Sequence, residues 1–390
     1  MRFKSISSDL LVTIVTLVAA FAAVTAAMAS QKQAPGFERY NQASPEPYAY
    51  PLAQNTARVS VASDGVQANN YSYSPSISAN GRFVAFHSNA NNLVQNDTNG
   101  TLDIFVHDRL SSETTRISLT SAGTQANGDS YEASISADGR FVAFDSSASN
   151  LVSGDTNEDD DIFLHDRQTG ETNRVSLSSD GTQANDNSYL AFISADGRFI
   201  AFGSYASNLV PGDTNGEGDV FVHDRQNGQT TRVSLASDGT QANGDSGIAF
   251  ISADGRYVAF SSTANNLVAG DTNGLGDVFV HDRQTGETAR VSLASDGSQA
   301  NSGSFDISIS ADGRFVAFSS VASNLVAGDT NWNEDVFIHD RQTGETTRIS
   351  VTSEGIQANG GSGSPFISAD GRYVTFVSWA SNLVAGGMQT

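Results

Sequence analysis

The sequence predicts an all-β fold: a six-bladed β-propeller built from 58-residue, four-stranded repeats. Three observations carry that expectation. Arginine followed by Val-Ser or Ile-Ser recurs at Arg58, Arg116, Arg174, Arg232, Arg290 and Arg348, each 58 residues after the last, and self-similarity at a fixed long period marks a repeat architecture. Within the unit, Arg140-Phe-Val-Ala-Phe144 and Asp161-Ile-Phe-Leu-His165 are β-branched and aromatic runs bounded by turn signals, too short for helices. Four short antiparallel strands per repeat, arranged radially, make a propeller blade, whereas solenoid coils have much shorter periods.

The elements follow in chain order. Residues 1–29 carry Arg2 and Lys4, an apolar run from Leu10 to about Val24, and Ala27-Met28-Ala29 before Ser30. That order is a secretory signal, with cleavage expected after Ala29. Residues 30–44 read as a linker, and 45–390 as the propeller. In each blade, strand a is the Ser-Ile-Ser type (Ser134 to Ser136), b is Arg-Phe-Val-Ala-Phe, c is Asp-Val-Phe-Val-His and d is Thr-Arg-Val-Ser-Leu. Strands b and c are apolar on both faces, as sheets stacked between sheets require, while d alternates and suits an outer rim. Ala-Asp-Gly (Ala137 to Gly139) and Gln-Thr-Gly (Gln168 to Gly170) supply residues that tolerate positive φ in tight hairpins. The sixth copy of strand c would fall just past Thr390, and the place one ring earlier is Pro45. The N-terminal segment is therefore expected to close the ring, with Thr56 to Ser60 as a d strand, which would remove an exposed sheet edge. The prolines of the c segment, Pro45, Pro47 and Pro51, weaken that part of the pairing.

Ile-Ser-Ala-Asp-Gly-Arg-Phe-Val-Ala-Phe followed by Asp-Val-Phe-Val-His-Asp-Arg resembles the WD-repeat-like propeller repeat of the TolB-like superfamily, over nearly all of residues 57–390. The resemblance implies the fold and leaves the task open, because similar blades serve periplasmic scaffolds, peptidase gating domains and polysaccharide lyases.

Composition narrows the partners. Forty-three acidic residues against 21 basic give a net charge of -22, which repels nucleic-acid phosphates and anionic membrane surfaces. Cysteine is absent, so no disulfide framework is called for. No stretch after the signal is apolar enough to remain inserted in a membrane once the signal is cleaved. A protein or a glycan of the cell envelope is the expected partner, in the periplasm or outside the cell.

Antiparallel blades place the a-b and c-d turns on one face and the longer b-c and d-a loops on the other, where binding residues are expected. Each b-c loop carries Asp-x-Asn-x-x-x-Asp: Asp97/Asn99/Asp103, Asp155/Asn157/Asp161, Asp213/Asn215/Asp219, Asp271/Asn273/Asp277 and Asp329/Asn331/Asp335. Hard oxygens at alternate turn positions are what Ca²⁺ selects, so calcium is an expected ligand; the alternative is an Asx-turn network satisfying loop backbone. The recurrent His-Asp-Arg element, as at His107-Asp108-Arg109, invites a Ser-His-Asp reading, but neighbouring strand residues face opposite ways and five equal triads are implausible. It reads instead as a repeated inter-blade hydrogen-bond network.

Departures from the repeat point to a unique ligand. Ahead of strand a, nearest the ring axis, stand Tyr73, Tyr131, Tyr189, Gly247, Phe305 and Gly363. The next column is Ser74, Glu132, Leu190, Ile248, Asp306 and Ser364. Aromatics at a channel mouth beside Glu132 and Asp306 suit a sugar ring or a peptide anchor, or they simply fill the channel. The leading expectation is an exported, non-catalytic propeller that binds through its long-loop face. The alternative is a polysaccharide lyase or hydrolase using Glu132 and Asp306 as an acid/base pair, which a single asymmetric polar cluster on that face would support.

Overall fold

The computed structural model describes residues 56–384. The expected signal peptide, the expected linker and the expected c segment from Pro45 to Pro51 lie outside the described residues.

The first blade comprises β1 (Ser72–Ile77), β2 (Phe83–Ser88), β3 (Asp103–Asp108) and β4 (Glu113–Arg116). The second is β5 (Ser130–Ile135), β6 (Phe141–Ser146), β7 (Asp161–Asp166) and β8 (Glu171–Arg174). The third is β9 (Ser188–Ile193), β10 (Phe199–Ser204), β11 (Asp219–Asp224) and β12 (Gln229–Arg232). The fourth is β13 (Ser246–Ile251), β14 (Tyr257–Ser262), β15 (Asp277–Asp282) and β16 (Glu287–Arg290). The fifth is β17 (Ser304–Ile309), β18 (Phe315–Ser320), β19 (Asp335–Asp340) and β20 (Glu345–Arg348). Of the sixth blade, β21 (Ser362–Ile367) and β22 (Val374–Ser378) are described. Strands pair antiparallel in sequence order within every sheet, and the first strands of successive blades pack against one another around the axis. This is a six-bladed β-propeller of 58-residue repeats.

Two strand expectations shift. Strand a is longer than expected, starting four residues before the Ser-Ile-Ser core, because a bulge in its middle hides its pairing; the register slips between Tyr131 and Ser134 and at the same place in every blade. Strand d runs from Glu113 to Arg116 rather than through Arg-Ile-Ser-Leu. After the arginine, Ser118 turns its hydroxyl to Asp103 and Leu119 pairs with Gln125 in an isolated bridge, drawing the chain away. Thr56 to Ser60, expected as a closing d strand, has no strand pairing. Its neighbour in the sheet would be the c segment, which lies outside the described residues.

Strand c is buried along its whole length in the first four blades because its alternate residues feed two different interfaces. Ile104 and Val106 join Phe144 and Phe163 of the second blade in one cluster, while Phe105 faces the other way with Phe86, Ala90 and Leu93. Phe86 and Phe105 are directly cross-strand, with ring centroids 5.9 Å apart, and this pair recurs down to Phe318 and Phe337. Each such buried phenylalanine contributes about 1.5–3 kcal/mol.

The short-turn face is bolted blade to blade. Ala79 N–H donates to the Ala137 carbonyl, Ala137 to Ala195, and so on to Ala369. Gly139 combines φ of +76° with a backbone so close to Phe83 that an added Cβ would lie 2.1 Å from its ring. Phe83 in turn lies between the guanidinium groups of Arg82 and Arg167, at 4.7 and 4.3 Å.

Candidate functional site

The five Asp-x-Asn-x-x-x-Asp loops do converge, and the cation they meet is the arginine that ends strand d. Arg116 Nη1 lies 3.1 Å from Asp103 and 3.6 Å from Asp97. Arg174 is 3.1 Å from Asp161 and 3.3 Å from Asp155. Arg232 is 2.8 Å from Asp219 and 3.1 Å from Asp213. Arg290 and Arg348 repeat the arrangement with Asp277 and Asp271, and with Asp335 and Asp329. Asn99 turns its amide NH₂ toward Asp103 and the Ala126 carbonyl, and Asn157, Asn215 and Asn273 bond in the same way, while Asn331 donates to the Ala358 carbonyl. Burial pushes the Asp161 carboxyl up to about 6 against the opposing pull of Ser176 and Arg174. For calcium, this donor set offers carboxylates already engaged by a guanidinium and amides presenting donors, a poor match to a cation that needs six to eight oxygens. Among the described residues no cluster of three or more His, Cys, Asp or Glu side chains is arranged to hold a metal ion.

The His-Asp-Arg element is structural. Thr172 Oγ1 donates to the Leu119 carbonyl of the preceding blade, so the 2.9 Å contact with His165 Nδ1 requires that nitrogen to carry the proton. Burial lowers the His165 pKa. Asp166 accepts a two-pronged bond from Arg140, which is the main cause holding its carboxyl at about 2.

The channel mouth on the long-loop face is where the blades differ. Ser74, Glu132, Leu190, Ile248, Asp306 and Ser364 occupy the bulge of strand a, all with φ between 42 and 55°. Bulges re-aim side chains, and a non-glycine residue held at positive φ costs energy that the surrounding fold must offset. Here the bulge places one side chain per blade on a ring around the axis. Ser74 donates to Glu132 Oε1 at 3.0 Å, and Ser364 N–H donates to Asp306 Oδ2 at 3.1 Å. The residue ahead of strand c joins this rim, because its carbonyl accepts from the first residue of the next blade's strand a. That column reads Leu102, Asp160, Gly218, Gly276 and Glu334.

A further variable column was missed by the sequence reading. It lies in strand b opposite the tyrosines: His87, Asp145, Gly203, Ser261, Ser319 and Val377. Its signal was available as a departure from the repeat, hidden inside an otherwise uniform apolar strand. His87 packs on Tyr73 at 5.5 Å and edge-on to Tyr131 at 6.2 Å, and accepts the Glu132 N–H at 3.3 Å. Burial lowers His87 to about 4, so it is neutral near pH 7.

Asp145, the equivalent residue one blade on, is 7% exposed, and its Oδ1 has no hydrogen-bond partner. Burial, then the charge of Glu132, then Asp160, push its carboxyl up to about 7. Glu132 is itself raised by burial, as is Asp160, with Asp129 adding to the latter. Tyr131 donates to Asp129 Oδ2 at 3.1 Å and is pushed up to about 12, chiefly by burial.

The expected site residues therefore separate into three groups. Tyr73, Tyr131, Glu132 and His87 gather between the first two blades, and Asp145 stands beside Glu132 on the side of the third blade, where the Leu190 N–H reaches its carboxyl. Tyr189 lies over Gly203 and stacks on Tyr205 at 5.5 Å, its hydroxyl 3.3 Å from where a Cβ on Gly247 would stand. Phe305 and Asp306 lie three blades from Glu132, and the charge facing Asp306 is Glu334, whose carboxyl lies over Gly363. The structure thus pairs Glu132 with Asp145 and Asp306 with Glu334, and does not bring Glu132 and Asp306 together as one acid/base pair.

Further down strand a the channel is plugged. Ser76, Ser134 and Ser308 accept N–H bonds from the next blade, but Phe192, Phe250 and Phe366 replace serine at the other three positions. Phe192 and Phe250 stack at 3.8 Å and Phe366 meets Phe250 at 6.0 Å. A ligand entering from the long-loop face therefore meets an apolar floor.

No family model and no curated protein matches the chain. Among solved structures, TolB from Acinetobacter baumannii shares 17% identity over 73% of this chain, with a TM-score of 0.43; the chain spans 55% of that protein's length. Putative TolB from Agrobacterium tumefaciens shares 14% over 80% of this chain and 92% of its own, with a TM-score of 0.47. The uncomplexed acylaminoacyl peptidase from Pyrococcus horikoshii shares 13% over 80% of this chain and 43% of its own, with a TM-score of 0.50. At such identities the likeness concerns architecture alone, and in architecture the chain is a β-propeller.

Proposed function

We propose that the protein is an exported propeller that binds a protein or glycan of the cell envelope through its long-loop face, with the contact centred on the channel mouth. The observation that carries this is the contrast between five near-identical arginine clamps and a mouth whose rim differs in every blade. Uniform loops are scaffold, whereas a rim of unlike residues suits one particular ligand. Tyr71 and Tyr73, 52% and 39% exposed, offer amphipathic rings of the kind that anchor interfaces. The Arg2 to Ala29 pattern supports export. The acidic loops enter this reading as clamps rather than calcium sites.

The test is retention of the labelled mature chain on envelope preparations of its source cell. Tyr73→Ala with Phe305→Ala should abolish retention, while Leu110→Ser, on the exposed short-turn face, should leave it intact. Equal retention of both variants would refute the assignment of the face.

A second reading has its own observation. A carboxyl held to about 7 beside Glu132 has the poise of a general acid. If the mouth cleaves polysaccharide, Asp145 and Glu132 are the pair, and Asp145→Asn should abolish release of reducing ends from envelope polysaccharide while Asp306→Asn retains it.

A further inference from the structure

We infer that the mouth at the second blade, around Glu132 and Asp145, is a socket for a guanidinium group, an arginine side chain on an extended segment of a protein partner. The inference rests on the long-loop face being the binding face, and it names what that face recognises.

Three independent features converge. The first is an unmet acceptor: Asp145 Oδ1 is buried without a hydrogen-bond partner, the donors that reach its carboxyl being the backbone N–H groups of Asp145 itself and Leu190, although buried carboxylate oxygens are ordinarily bonded. An orphaned acceptor of this kind is stabilised by a donor arriving from outside. The second is charge: Asp145 faces Glu132 and Asp160, and Asp160 faces Asp129. No such concentration recurs at the mouth in the third or fourth blade, where the bulge residues are Leu190 and Ile248 and the columns beside them carry Gly203, Gly218, Gly247, Ser261 and Gly276. The third is the aromatic wall of Tyr71, Tyr73 and Tyr131, with Tyr71 and Tyr73 at 6.0 Å. A planar cation that stacks on aromatic faces while donating several hydrogen bonds in a fork is a guanidinium; an ammonium makes poorer use of such a wall. The same stacking is already used within the fold, where Arg167 lies 4.3 Å over Phe83.

The phenylalanine floor limits depth, so a side chain enters and the backbone that carries it stays on the rim. Glu132 Oε1 is held by Ser74, which fixes the direction of the carboxylate before the ligand arrives. With His87 neutral, no resident positive charge competes in this cluster.

The experiment is calorimetric titration of the mature chain with the peptide acetyl-Gly-Ser-Arg-Ser-Gly-amide, its lysine version, its citrulline version and free glucosamine. Citrulline keeps the shape and loses the charge; glucosamine asks whether an amino sugar is the true source of the cation. The expected result is binding of the arginine peptide, weakened by about tenfold or more with citrulline and less with lysine. Glu132→Gln and Asp145→Asn should each weaken it similarly, while Glu113→Gln, the same charge change on the exposed outer strand, should not. Thermal melting of each variant verifies folding. Equal binding of arginine and citrulline peptides, no binding up to about 10 mM, tighter binding of glucosamine, or indifference to Glu132→Gln would each overturn the socket. Failure here, with envelope retention still dependent on the long-loop face, would sink the socket and leave the binding face standing. Success here, with retention indifferent to that face, would do the reverse.

Discussion

Replacing Asp145 with asparagine should raise this protein's stability relative to the wild type progressively as pH rises. Burial raises the folded-state carboxyl from 3.8 to about 7, so the native state holds the proton more tightly than the unfolded chain. The resulting contribution to stability is fully present below the unfolded value near 3.8, and is lost as pH rises through 7. A rise from 3.8 to about 7, at about 1.4 kcal/mol per tenfold change in proton affinity, gives about 4 kcal/mol lost by alkaline pH, and about 2–3 kcal/mol of that falls between about pH 5 and pH 8. The asparagine of the variant does not titrate. Its amide has its own hydrogen bonds to satisfy, but that cost is the same at both pH values and cancels from the comparison. Urea unfolding of both chains at the two pH values supplies the difference, and a ¹³C titration of the wild-type carboxyl should show an inflection near 7. A stability gap that stays constant within about 0.5 kcal/mol, or an inflection near 4, would refute the claim that this carboxyl is enclosed beside Glu132 and Asp160 without a compensating positive charge.

Three further outcomes follow from the frame. Arg232→Met leaves Asp213 and Asp219 buried without their cation, which should cost about 3–5 kcal/mol in denaturant unfolding; in the wild type, about 1 mM calcium after chelation should move the melting temperature by less than about 1 °C. Gly139→Ala meets both positive φ and the Phe83 ring, whereas Gly154→Ala meets positive φ in open space, so the first should lose at least about 1 kcal/mol more than the second by the same assay. Phe260→Ala empties a fully buried site and should cost about 3–5 kcal/mol, against less than about 1.5 kcal/mol for Phe366→Ala, which is 47% exposed.

The architecture was legible because a 58-residue period written in Arg-Val-Ser and Ala-Asp-Gly leaves few alternatives, and because strands buried on both faces carry unbroken apolar runs. The bulge in strand a was not legible. Ser74, Glu132, Leu190, Ile248, Asp306 and Ser364 share no chemistry, so nothing in their side chains announces a common positive φ. The partner of the acidic loops was hidden for a related reason. Their spacing matches a calcium loop, yet the cation facing them is Arg116 and its counterparts, the residues that mark the repeat, more than ten positions further along the chain. Asp145 was passed over because strand b reads as uniform core; only its carboxylate, against His87, Gly203, Ser261, Ser319 and Val377 at the same position, sets it apart. Glu132 was recognised as a mouth residue, but its partner across the bulge depends on which strand-b side chain faces the next blade, which spacing alone does not give.

The central claim is that a near-symmetric frame presents one asymmetric site, at the mouth around the second blade. Hydrogen–deuterium exchange with saturating arginine peptide tests it most directly. The account predicts protection confined to residues 71–74 and 129–132 and the neighbouring ends of β2 and β6. Protection spread evenly over six blades, or centred on the short-turn face, would contradict it.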